Sequence, residues 1–136
     1  MINCNMNFKT VLYLALFSAL SVNATANIEI GKKLYNNNCA SCHGANLQGA
    51  TNWKSLDEDG HRKAPPLNGT GHTWHHADEQ LHEIIKYGLA KLVKNYQGKM
   101  MGFGDMLTDS EINSVLAYIK STWPKHIQQK HKEMFK

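Results

Sequence analysis

Cys39, Cys42 and His43 form a C-x-x-C-H cluster inside "NNNCASCHGANLQG", residues 36–49. Residues of these types at this spacing support three chemistries: a redox dithiol, part of a zinc site, or the covalent attachment of a haem. A thioredoxin-like dithiol sits beside a βαβ pattern, and no segment of this chain reads as a convincing strand. A zinc site needs four ligands, commonly drawn from two separated pairs. The cluster supplies three, and the adjacent Cys42 and His43 converge poorly on one small ion. Eight histidines nevertheless leave a fourth ligand open. Haem attachment uses every residue of the cluster. Cysteines at i and i+3 share one face of a helical turn, where their sulfurs can bond two vinyl groups of a flat macrocycle. His43 then projects under the ring with an imidazole for iron.

The elements around the cluster agree with an exported, mainly helical domain. Residues 1–26 have the layout of a secretory signal peptide: Lys9 without any acid, the apolar run "VLYLALFSAL", and a small-x-small ending at Ala24-Thr25-Ala26. The apolar run is too short for an ordinary membrane span of about 20 residues. Cleavage after Ala26 removes Cys4, so two of the three cysteines remain. A disulfide between Cys39 and Cys42 would close a loop too small to stabilise much. Losing Lys9 leaves 14 of 15 basic residues against 11 acidic ones. That mild positive balance, with scattered C-terminal lysines (Lys120, Lys125, Lys130, Lys132, Lys136), carries no nucleic-acid signature. A domain at residues 27–136 is large enough for a modest core, which a buried prosthetic group would enlarge.

Within that domain, "NIEIGKKLYNNN" places Ile28 or Ile30, Leu34 and Tyr35 on one helical stripe running into Cys39. Gly31 costs such a helix about 1 kcal/mol against alanine, which makes sense where another helix crosses closely. Residues 44–73 are rich in Gly, Asn, Asp and Pro and read as a loop. A loop of that length in a small domain usually wraps something. "HADEQLHEIIKYG" predicts a helix with Leu81, Ile84 and Ile85 inward and Gly88 as its stop. Thr108 and Glu111 form a capping box, followed by Ile112, Val115, Leu116, Ile119 and Trp123 at helical spacing. Pro124 is read as the end of that run, and the polar residues after it as a fraying tail.

A histidine-ligated haem leaves one iron position open, and a methionine there favours electron transfer. "GKMMGFGDMLTD" offers Met100, Met101 and Met106, all far along the chain from His43. At this point the chain resembles the small class I cytochromes c of the bacterial monohaem type. The resemblance runs through "GKKLYNNNCASCHG", "APPLNGTG" and "MMGFGDMLTDSEINSVLAYIKSTWP". In that family the methionine strap usually reads M-P-x-F-G. Met100 falls on the ligand position and Phe103 on the aromatic one, while Met101 replaces the proline. Met100 is therefore preferred to Met101, and Met106 comes last. The resemblance also implies that the Pro65 carbonyl accepts a hydrogen bond from His43. It further implies that Gly31 and Tyr35 pack against the helix carrying Tyr118.

The expected architecture is all-α, a cytochrome c fold of three or more helices wrapped around one covalently bound haem c. Cys39, Cys42, His43 and Met100 are the expected cofactor-binding residues, with His43 and Met100 on the iron. The expected function is a periplasmic one-electron carrier, not itself an enzyme, working between redox partner proteins without a small-molecule substrate or nucleic acid. The alternative is a haem enzyme subunit or small-ligand sensor with a weak or absent sixth ligand, which the proline-to-Met101 departure favours. His72, His75, His76 and His82 around Trp74 suggest a second metal site or a pH-sensitive face. The simpler reading lets Trp74 or a histidine line the haem edge and hydrogen-bond a propionate.

Overall fold

The computed structural model describes residues 27–136; the expected signal peptide and its cleavage after Ala26 lie outside them. Six helices follow in order: α1 (27–38), α2 (Ala40–His43), α3 (Asp78–Tyr87), α4 (Leu89–Leu92), α5 (Asp109–Ser121) and α6 (Lys125–Met134). A 3₁₀ turn occupies Thr73–His75. The described residues contain no strand beyond isolated bridges pairing Leu56 with Arg62 and Arg62 with Gly98. None of their helices is long and apolar enough to cross a membrane.

Helix α5 begins where its capping box predicts. The Thr108 hydroxyl accepts the Glu111 amide, and the Glu111 carboxylate accepts the Thr108 amide at 2.8 Å. Its inward residues Ile112, Val115, Leu116 and Ile119 are buried. Helix α1 crosses it at Gly31, where a Cβ would lie 1.9 Å from the Ser114 carbonyl oxygen. The crossing lets Tyr35 bury completely against Tyr118, with ring centroids 5.5 Å apart. Of the two isoleucines on α1, Ile28 is the half-buried one and Ile30 faces solvent. Helix α3 buries Leu81 and Ile85 against α5, with Ile84 half-buried.

The chain after Pro124 does not fray. Pro124 is the N-cap of α6, and its carbonyl accepts the amides of Ile127 and Gln128. Proline at a helix start loses nothing, because the first amides have no helical partner. Ile127 and His131, one turn apart, are the buried residues of this otherwise polar helix. The His131 ring lies between Trp123 and Phe135. Its Nδ1 is 3.0 Å from the Trp74 carbonyl oxygen and its Nε2 2.9 Å from the Asp78 carboxylate. The hydrophobic pattern concealed this helix because one of its two inward positions is an imidazole. His131→Ala removes a buried ring and leaves the Trp74 carbonyl without its partner, while Asp78 keeps Lys120, and should cost about 1–3 kcal/mol. Urea unfolding of the holoprotein checks this; an unchanged midpoint would mean that α6 adds nothing.

Candidate haem-binding site

The C-x-x-C-H cluster is one helical turn. The Cys39 amide donates to the Tyr35 carbonyl at 2.8 Å, so α2 continues from α1 with only a slight break. The His43 amide donates to the Cys39 carbonyl at 2.9 Å, and Gly44 ends the turn at φ +81. The Tyr35 hydroxyl donates to the Gly44 carbonyl at 2.7 Å and fastens the turn to the helix crossing. Cys39 and Cys42 are free thiols, the first half-buried and the second exposed. Burial, followed by the neighbouring Cys42, pushes the Cys39 thiol up to about 11.

His43 is buried, and its Nδ1 donates to the Pro65 carbonyl at 2.9 Å. The long loop makes that contact by folding back on itself. Gly49 sits at φ +73 with its α-carbon so near the Ala64–Pro66 backbone that a Cβ would come within 2.5 Å of Pro66 N. The Leu67 amide donates to Leu47, and the Trp123 indole donates to the Leu67 carbonyl at 2.8 Å. Burial lowers the His43 pKa more than the Pro65 hydrogen bond raises it. The ring is therefore held neutral with Nε2 as its uncommitted nitrogen, the form in which imidazole binds a metal.

The methionine strap belongs to the other half of the domain. The Phe103 and Gly104 amides donate to the Ile85 and Lys86 carbonyls, both at 2.9 Å, so the strap satisfies the end of α3. Met100 and Phe103 are half-buried against Leu81, Ile85, Leu107, Ile112 and Leu116. Met101 and Met106 are 61% and 55% exposed. The apolar interior thus forms two clusters. One, around Tyr35, Leu47, Val115 and Trp123, packs Cys39; the other packs Met100. Paired thiols, an oriented imidazole and a thioether on a second apolar cluster fit a covalently held haem.

The histidines near Trp74 do not converge on one point. His72 stacks on Trp53, His75 lies edge-on to Trp74, and His76 Nδ1 is 3.2 Å from Gln80. Burial, then repulsion from His76, His75 and Arg62, lowers the pKa of His72. The second metal site, the less favoured reading of these histidines, gains no support from this arrangement. The metal-donor atoms that do converge among the described residues, within 4.8 Å, belong to Asp57, Asp59 and His61. The Lys99 ammonium already sits on both of those carboxylates, at 2.8 and 2.9 Å. Forty residues separate Lys99 from Asp59, and no sequence pattern joins them.

Fold and donor set define a class, a small all-α domain equipped for covalent haem. Comparison gives the family: residues 28–123 match the cytochrome c family, and the chain belongs to it. The cofactor of that family is covalent c-type haem with its iron. The chain is 32% identical over 120 residues to a nitrite reductase of Stutzerimonas stutzeri, covering 83% of this chain and 19% of that protein. It is 29% identical to the Cbb3-type cytochrome c oxidase subunit FixP of Azorhizobium caulinodans, covering 67% of this chain and 28% of that one. The FixP subunit of Bradyrhizobium sp. (strain ORS 278) is 30% identical over similar shares, 67% and 29%. The chain therefore spans less than a third of the length of these curated relatives. No solved structure matches it.

Proposed function

We propose that the domain is an exported one-electron carrier in which Cys39 and Cys42 hold the haem and His43 and Met100 ligate its iron. The observation that carries this reading is the pairing of a neutral, oriented His43 with a half-buried Met100, while Met101 and Met106 face solvent. When bound, a haem with histidine and methionine ligands supplies a reversible electron at relatively high potential. The chain's own residues do the rest. Pro65 fixes the His43 ring, the two apolar clusters exclude water, and the packed α1–α5 crossing holds the attachment turn. The leader-like residues 1–26 support export, because they have the layout of a secretory signal.

The partners we infer are redox proteins, a donor and an acceptor. Residues 84–104 hold four lysines and no acid. Lys91 and Lys94 flank the exposed Leu92 and Val93 on and after α4, an apolar spot with a positive rim suited to an acid-edged partner. The relatives are named as a nitrite reductase and an oxidase subunit, which favours a second reading as the electron-delivering subunit of a larger redox enzyme.

The test is an absorption spectrum and stopped-flow electron exchange on the holoprotein. A low-spin spectrum with a methionine-to-iron charge-transfer band, and exchange that slows with salt, is expected. A high-spin ferric spectrum would overturn the reading and leave the enzyme-subunit or small-ligand-sensor alternative.

A further inference from the structure

We propose that Lys99, Asp57 and Asp59 form an ionic clasp that positions the strap for Met100 ligation; the proposal rests on the ligand assignment above. Met100 lies between two anchors, with its carbonyl so close to Gly88 that a Cβ there would come within 2.9 Å of it. Downstream, the Phe103 and Gly104 amides are bonded to the end of α3. Upstream, the Arg62 amide donates to the Gln97 carbonyl at 2.9 Å, and Arg62 bridges to Gly98 in parallel. No backbone–backbone hydrogen bond among the described residues involves Met100, Met101 or Gly102. The upstream anchor is therefore a single isolated bridge beside the ion pairs of Lys99, the residue next to the ligand.

Of the two carboxylates that receive Lys99, that of Asp57 is held ready for it. Asp57 Oδ1 accepts the amides of Asp59 at 3.0 Å and His61 at 2.8 Å. The Asp57 amide in turn donates to the His61 carbonyl at 2.9 Å. This closed turn leaves Asp57 Oδ2 and Asp59 Oδ2 facing the ammonium. His61 Nδ1 lies 3.7 Å from Asp57 Oδ1, outside hydrogen-bonding distance. An isolated exposed ion pair contributes little. Here one carboxylate, that of Asp57, is fixed by backbone amides, and the exposed Asp59 carboxylate joins it on the same ammonium, so the turn has already met part of the network's ordering cost. The Lys99 hydrogen bond, as the main cause, holds the Asp57 carboxyl down at about 2, and the same contacts push Lys99 upward. Because Lys99 is 59% exposed, salt weakens the clasp.

A strap that loses its upstream anchor presents its thioether at lower effective concentration, so a competing ligand reaches the iron more easily. The experiment titrates the ferric holoprotein with imidazole and follows loss of the methionine charge-transfer band. It compares the parent protein with Lys99→Gln, Asp57→Asn/Asp59→Asn, the triple variant and Lys125→Gln. Lys99→Gln and the aspartate pair should each raise imidazole affinity about twofold to fivefold. The triple variant should add nothing further, and Lys125→Gln should leave the affinity unchanged. Added salt should raise the affinity of the parent and not that of the clasp variants. Unchanged affinity in Lys99→Gln, or additive effects in the triple variant, would overturn the clasp. Persistence of the band in Met100→Ala would overturn the ligand assignment and the clasp with it, so the two failures remain distinguishable.

Discussion

Met100→Ala holoprotein is expected to lose the methionine-to-iron charge-transfer band and to fall in reduction potential by on the order of 0.1–0.3 V. That is a fraction of the roughly 0.8 V that axial ligands span across haem proteins. The size of the effect follows from the chemistry: a thioether stabilises the reduced iron, and alanine leaves that position to water or a stray base. Covalent attachment should survive, because Cys39 packs on the other apolar cluster and Cys42 lies on the same helical turn. Met101→Ala is the control that makes the result informative. Its side chain is 61% exposed, so spectrum and potential should stay near those of the parent. Redox titration with absorption spectroscopy checks both variants, and loss of the band in Met101→Ala alone would transfer the role to Met101.

The three methionines of the strap mark the boundary of what the sequence can say. Spacing and composition put a ligand somewhere in "KMMGFGDM", but choosing among adjacent methionines depends on burial. Burial here is set by the Phe103 and Gly104 amides reaching back to α3. Elements with local causes were legible. The attachment turn follows from its cysteine spacing, α5 from the Thr108–Glu111 box, and the end of α3 from Gly88. What escaped was long-range. Pro124 looks like a terminator because it ends the apolar repeat, yet it opens α6, whose inward face is completed by His131 bonded to Trp74 and Asp78. The link from Lys99 to Asp57 and Asp59 escaped for a similar reason, since it exists only after the long loop has folded against the strap.

Gly31→Ala should destabilise the holoprotein by about 2 kcal/mol or more and lower its melting temperature by about 10 °C. Helix propensity alone argues for the opposite sign, since alanine is favoured over glycine by about 1 kcal/mol in a helix interior. Packing decides the outcome. The new Cβ would lie 1.9 Å from the Ser114 carbonyl oxygen, 2.5 Å from its carbon and 3.0 Å from the Tyr118 Cβ. The two closest atoms are main chain and cannot rotate aside, so α1 must back away from α5 as a body. Tyr35 stands one turn further along α1, fully buried against Tyr118 and bonded to the Gly44 carbonyl. Moving α1 therefore loosens the Tyr35 contact and tilts the turn that carries Cys39, Cys42 and His43. Ser114→Gly should not rescue the variant, because the obstructing atoms belong to the backbone and not to the serine side chain. Calorimetry on the single and double variants checks the argument. A melting temperature unchanged or raised in Gly31→Ala would mean that the crossing has room for a methyl group. The attachment turn would then owe its position to α2 and the Pro65 loop alone.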